Sequence, residues 1–428
     1  MEDKKGYTPV AGYEARPGEV KRVLLLYSGG LDSSVMIPWI KERYGCEVVT
    51  LTVNLGQFMD EMETVRQRAL SLGADDAVVA DAVEEFAGGC LTRAVKANGC
   101  YDGYYLSTPL GRAVSSEVVA RVAEEVGADA VGHGCTGKGN DQVRFDAGVL
   151  TLAPHLKVIA PVRQWNMGRD EEYEFARAHG IVVEQLKKCP YSHDDNIWGI
   201  TSEGHEIENP ACEPPLERIL RVCNTPENAP DVPQTVRITF ERGLPVALDG
   251  RKMNFVEMIK TLNSLAALHA VGFTVLIEDR IVGLKVRGVY ESPAAHVIIS
   301  AHKALEALVL SKEELAFKRG VDAKWAQLVY DGKWFEPLRS DLDAFVDAAG
   351  EHVTGTVTMK MSHGTCTALA VESRYSLCDE YMATFNAGDY FNNNAAAPFI
   401  ELYSLQMRHA VKVRGGNGAP VASAAPVV

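Results

Sequence analysis

Between Lys21 and Lys188, short β-rich apolar runs alternate with segments of helical spacing, and this alternation most narrows what the chain can become. The runs are VLLLY (23–27), EVVTLTV (47–53), AVVA (77–80), ADAVGH (128–133), KVIAP (157–161) and IVVEQ (181–185). Val35, Ile37 and Ile40 follow Asp32 at helical spacing, and Val114, Val118, Val119, Val122 and Val126 repeat the pattern along 112–126. Strands separated by helices pair in parallel beneath a helical cover, which makes this half of the chain α/β. Ligands in such sheets sit beyond the carboxyl ends of the strands.

The pattern changes at CPYSHDDNIWGITSEGHEIENPACEPP (189–215), a polar, aromatic and proline-bearing stretch that reads as a domain junction carrying functional loops. After it, 235–250 predicts a hairpin, 254–270 a helix, 294–310 an apolar helix and 352–373 a strand pair, so the second half is α+β. The expected divisions are an N-terminal extension (1–20), the α/β domain (21–188), the α+β domain (189–394) and a C-terminal helix with a disordered tail (395–428).

Composition removes several function classes. No apolar run approaches the roughly 20 residues of a membrane span, and the first residues carry no export signal, so a cytoplasmic protein without membrane contact is expected. Nine scattered cysteines with no CxxC pair argue against a disulfide framework and a thiolate zinc site. A net charge of −14 with no basic run argues against nucleic acid and for small-molecule substrates.

Ser28-Gly29-Gly30-Leu31-Asp32-Ser33-Ser34 follows the first strand and opens the first helix, where unpaired N–H groups and the positive dipole end attract phosphate. Two glycines admit a polyphosphate, the serine hydroxyls add donors, and Asp32 is placed to hold Mg²⁺. A tight turn with serine caps is the alternative; the strand before it favours phosphate. The segment is neither GxxxxGK[ST] nor GxGxxG. It resembles the SGGxDS loop of the N-type ATP pyrophosphatases, which cleave ATP between its α and β phosphates. A second glycine-rich segment, Gly132-His133-Gly134-Cys135-Thr136-Gly137-Lys138-Gly139-Asn140-Asp141, follows the strand at 128–131 and suits a loop wrapped around anions, with Arg144 able to grip a carboxylate. His133, His193 and His205 lack metal-ligand spacing, and no fixed protein metal site is expected.

SGGLDSS, TVNLGQ (52–57), GHGCTGKGNDQVRF (132–145), LKVIAPVRQW (156–165), PYSHDDNIWG (190–199) and RGVYESP (287–293) together resemble, in order, argininosuccinate synthetase. The resemblance implies an adenine nucleotide α-hydrolase-like domain, a synthetase domain and a homotetramer with a C-terminal oligomerisation arm near 395–412. It implies that ATP, citrulline and aspartate give argininosuccinate, AMP and diphosphate through citrullyl-AMP, in arginine biosynthesis. ATP would be held by Leu26, Tyr27, Ser28, Gly29, Gly30, Leu31, Asp32, Ser33 and Ser34, with Val53, Gly134 and Asp194. Thr136, Asn140 and Asp141 would take aspartate. Citrulline would meet Tyr104, Thr108, Asn140, Arg144, Ser192, Thr201, Glu203, Glu278 and Tyr290. Asp32 and Asp141 are the expected catalytic carboxylates, with Asp141 or a nucleotide phosphate oxygen as candidate base for the aspartate amine. Pro109 and Asp279 depart from the commonest pattern, and motivate the alternative of a paralogue acting on another ureido or amide compound.

Overall fold

The computed structural model describes residues 9–57, 62–165, 167–181, 190–381 and 392–415. Five of the expected runs form strands: β1 (Arg22–Leu26), β2 (Glu47–Asn54), β3 (Asp76–Asp81), β4 (Ala130–Gly132) and β5 (Lys157–Ile159). The strand expected at 181–185 falls, from 182 onward, outside the described residues. All five pair in parallel in the order β3-β2-β1-β4-β5. Leu24 packs among Leu110, Val114 and Val118 of the helix Ser107–Val126, whereas Val23 and Leu25 pack with Met36, Ile37 and Ile40 of the helix Leu31–Tyr44. Successive residues of a strand face opposite sides, so a strand covered on both must be apolar throughout.

The helix expected over 112–126 begins five residues earlier, at Ser107. Pro109 does not prevent this, because N–H groups in a first helical turn have no intrahelical acceptor to lose. Gly127, at φ 64°, ends it in the left-handed conformation.

Among the described residues nine further strands follow: β6 (Ser192–Asn196), β7 (Gly199–Glu203), β8 (Gln234–Glu241), β9 (Leu244–Leu248), β10 (Arg251–Lys252), β11 (Phe273–Asp279), β12 (Lys285–Glu291), β13 (Gly355–Ser362) and β14 (Thr365–Glu372). They form two antiparallel sheets, β10-β9-β8-β13-β14 and β11-β12-β7-β6. The stretch read as a loop-bearing junction thus contains a hairpin, β6 to β7; its polar residues hid it because they face a cleft instead of a core. Helices Lys312–Tyr330 and Pro337–Gly350 were not anticipated, although Ser311 and Glu314 form a capping box that marks the start of the first.

The chain divides into two compact units, Met1–Tyr375 and Ser376–Val428. Both halves of the first share a core that runs from Leu24 and Val114 to Phe240, Trp325 and Met361. The second contains helices Ala396–Tyr403 and Leu405–Arg414, and 416–428, where a disordered tail was expected, lie outside the described residues. Among the described residues no helix is long and apolar enough to cross a membrane.

The turn of the β6–β7 hairpin depends on Gly199. A Cβ there would stand 2.5 Å from the Glu291 carbonyl oxygen and 2.3 Å from Ser292 Oγ. Backbone cannot yield as a side-chain tip can, so Gly199→Ala is expected to destabilise the protein by roughly 2–3 kcal/mol in thermal denaturation. A loss under about 0.5 kcal/mol would mean that the hairpin is looser than its packing implies.

Candidate functional site

Strand order reverses between β1 and β4, and the two glycine-rich turns leave the sheet there, one after each strand. Such a switch point opens a crevice at the carboxyl ends of the strands. Here it is a cleft of about 700 Å³. In the first turn the carbonyl of Gly29, at φ 77°, accepts a hydrogen bond from Arg68 Nη1 at 3.0 Å. Ser28 Oγ and Ser33 Oγ lie 3.2 Å apart, and no side chain caps the helix that begins at Leu31. Leu26, Tyr27, Ser28, Gly30, Asp32 and Ser33 reach the wall of the cleft, as does Val53 from β2. Gly29, Leu31 and Ser34 do not. Leu31 packs with Val35 and Phe175, and the Ser34 hydroxyl, expected as a phosphate donor, is buried 3.3 Å from that of Tyr27.

Gly134 in the second turn lies against the first helix: a Cβ there would be 2.5 Å from Met36 Cε. Gly134, Thr136, Asn140 and Asp141 all line the cleft. Asn140 is held at both ends, its Nδ2 donating to Tyr330 Oη at 3.0 Å and its Oδ1 accepting Ile281 N–H at 2.8 Å.

The charge centre is Arg112, which neither turn contains. Its Nε donates to Asp141 Oδ2 at 2.9 Å and its Nη2 to Asp194 Oδ2 at 2.5 Å. Arg144 Nη1 reaches the other oxygen of Asp141 at 3.0 Å, while its Nε and Nη2 both donate to the Tyr330 carbonyl. Burial works against the Asp141 carboxylate, but the two guanidinium groups outweigh it and hold its pKa below the ordinary value. Burial also opposes the charge on Arg112, and Asp141 and Asp194 overcome it.

The facing wall comes from the sheet β11-β12-β7-β6. Ser192 and Asp194 lie two apart on β6, Thr201 and Glu203 two apart on β7, and each pair therefore shares a face. Register places Ser192 opposite Glu203, Asp194 opposite Thr201, and Tyr290 of β12 on the other side of Thr201. Thr201 Oγ1 lies 3.3 Å from Thr108 Oγ1 and 3.4 Å from Tyr104 Oη, whose ring meets that of Tyr290 at 4.6 Å. Glu203 pairs with Arg280 Nη2 at 2.6 Å, and Arg280 Nη1 donates to the Lys138 carbonyl, which ties this wall to the second turn. Burial raises the pKa of Glu278 and of Tyr290.

Arg112, Arg280 and Tyr330 were missed as site residues. Arg112 lies within the helix Ser107–Val126, whose valines carry the pattern, while Tyr330 lies 190 residues from the Asn140 it holds, so no local pattern announces either. Cys135 lines the cleft, but burial and Asp141 raise its thiol, which does not favour a thiolate nucleophile. Among the described residues no group of three or more His, Cys, Asp or Glu is arranged to hold a metal ion.

Two family models match the chain, one over each half. The model described as the arginosuccinate synthase N-terminal HUP domain matches residues 22–182, and that of the C-terminal domain matches 191–410. The argininosuccinate synthase of Rubrobacter xylanophilus is 48% identical over 389 residues, covering 91% of this chain and 94% of its own. That of Gloeobacter violaceus is 45% identical over 396 residues, 92% of this chain and 99% of its own. For Dehalococcoides mccartyi strain BAV1 the figures are 44% over 389 residues, 91% and 95%. With both domain models matched in order, relatives aligned almost end to end, and the two glycine-rich turns meeting where the strand order reverses, the chain belongs to the argininosuccinate synthase family.

Proposed function

We propose that this cleft adenylates the ureido oxygen of citrulline with ATP and then joins the activated carbon to the amine of aspartate. The observation that carries the reading is the meeting of two glycine-rich turns at one switch point, opposite a wall of hydroxyls and carboxylates. A urea carbonyl is a poor electrophile because nitrogen lone pairs delocalise into it. Attack of its oxygen on the α-phosphorus breaks the bond to pyrophosphate and leaves an AMP ester on carbon. The aspartate amine then attacks that carbon, and the C–O bond to AMP breaks with formation of argininosuccinate. No covalent enzyme intermediate is needed, so the protein positions three ligands and stabilises developing charge.

We assign ATP to the first turn, with Val53, Gly134 and Asp194; aspartate to Thr136, Asn140 and Asp141; and citrulline to Tyr104, Thr108, Asn140, Arg144 and the β-sheet wall. Gly29, Leu31 and Ser34 shape the first turn from behind. Mg²⁺ fits as an ion carried on the phosphates, with Asp32 as its protein partner, and it would offset charge on the departing pyrophosphate. Asp141, held acidic by two arginines, suits orienting an ammonium group better than removing its proton. We therefore assign proton removal to a nucleotide phosphate oxygen.

On this reading residues 21–188 bind the nucleotide, 189–394 complete the amino-acid site and 395–412 form an arm of a homotetramer. Support for the arm is that Phe399, Leu402, Tyr403 and Met407 are 62–73% exposed. A cytosolic setting suits the cysteines of the described residues, all of which are free thiols. Pyrophosphate release with each substrate omitted in turn tests the reading. Sustained release is expected only with ATP, citrulline and aspartate together; turnover without citrulline, or none with all three, would refute it.

A further inference from the structure

Residues 9–20 precede the region that the family model matches, yet they are anchored to the sheet. They lie along the edge of β5, where Ala15 N–H donates to the Val158 carbonyl at 3.0 Å and Val158 N–H to the Tyr13 carbonyl at 2.9 Å. Lys157 Nζ donates to the Gly12 carbonyl at 2.7 Å. Glu14, almost wholly buried, accepts the N–H groups of Val10 and Ala11, and Ala15 and Val20 join the core beside Val23 and Ile159. The segment is thus a strap held by main-chain bonds and apolar burial.

One side chain of the strap points toward the site machinery. Tyr13 Oη donates to Asp146 Oδ2 at 3.1 Å, an oxygen that also accepts Arg163 Nη1 at 2.9 Å. The other oxygen of Asp146 meets His133 Nε2 at 2.7 Å, and His133 Nδ1 accepts the Cys135 N–H at 3.2 Å. Asp146 and His133 are both buried. A ring nitrogen that accepts a backbone N–H carries no proton, so the imidazole proton sits on Nε2, facing Asp146. The opposite tautomer would set an Nδ1 proton against the Cys135 N–H and open the second turn at its first bond.

We propose that Tyr13 is a positioning residue: through Asp146 and His133 the strap fixes the turn from Gly134 to Asn140 in the form that receives its amino-acid substrate. This rests on the reading that the turn takes aspartate. Tyr13→Phe removes one of the two donors on Asp146 Oδ2 and leaves the strap's main-chain bonds intact, so the chain should fold. Because Arg163 remains, the effect is partial. The KM for aspartate should rise about 3–10-fold, the size of one net hydrogen bond, with kcat unchanged and a smaller rise in the KM for citrulline, which shares only Asn140 with the turn.

Hydrogen exchange supplies a readout that needs no turnover. In Tyr13→Phe the amides of 133–140 should exchange faster than in the unaltered protein, with 22–26 unchanged. Equal exchange in 133–140, or kinetic constants that all move together, would overturn the proposal. If the unaltered protein shows no aspartate-dependent pyrophosphate release, the functional reading fails, and exchange still decides whether the strap holds the turn.

Discussion

Replacing Arg112 with Met is expected to lower kcat/KM for pyrophosphate release by about 10³-fold. Arg112 is the cation shared by Asp141 and Asp194, and its removal leaves two carboxylates converging on a partly enclosed cleft with only Arg144 against Asp141. The array is only half-buried, so the loss is argued from catalysis: one oriented donor at a site of developing charge is worth about 10²–10³ in rate, and here its removal also frees two carboxylates. Arg112→Lys keeps the charge but cannot span both carboxylates with one planar group, so a smaller loss of roughly 10–100-fold is expected. The pH profile of the Met variant should shift as well. Arg112 lowers the pKa of Asp141, so its loss raises that pKa and moves the acid limb to higher pH. A folded Met variant within about fivefold of the original activity would show that the bridge is incidental.

Stability should respond most strongly at a second charge cluster, remote from the turns. Lys318 is 1% exposed and is paired with Glu306 at 2.8 Å and Asp322 at 2.7 Å; its Nζ also donates to the Lys96 carbonyl. Asn98 Nδ2 donates to both carboxylates and its Oδ1 meets His302. Lys318→Met leaves two buried carboxylates without their cation, a loss of about 3–5 kcal/mol at pH 8 and a fall in Tm of about 4–6 °C. Burial pushes Asp322 up to about 6 even with Lys318 pulling it down. A pKa raised on folding means that ionised Asp322 costs stability above about pH 6 and that the cost is relieved as pH falls toward the ordinary 3.8. Losing Lys318 raises that pKa further, so the deficit should shrink between pH 8 and pH 5.5. A deficit that is constant, or that grows on acidification, would contradict this.

The parallel sheet was legible because its strands are short apolar runs that alternate with helical segments. The segment 192–203 was not, since Ser192, Asp194, Thr201 and Glu203 place polar groups where alternation normally marks a core. Both glycine-rich turns were legible from residue type and position after a strand. What ties them together was not, because Arg112 sits within a helix whose valines carry the pattern, and Tyr330 arrives from the far end of the helix Lys312–Tyr330. Contacts across such sequence distances are made by folding, and only the family resemblance pointed to Glu278 and Tyr290 in advance. Even that resemblance was silent on Tyr13, which lies outside the matched region.

The central claim is that the two turns present the α-phosphorus of ATP to the ureido oxygen of citrulline. Turnover of citrulline labelled with ¹⁸O at that oxygen tests it most directly, with mass spectrometry of both phosphate products. The account predicts one labelled oxygen in AMP and none in pyrophosphate; label in pyrophosphate, or AMP without label, would contradict it.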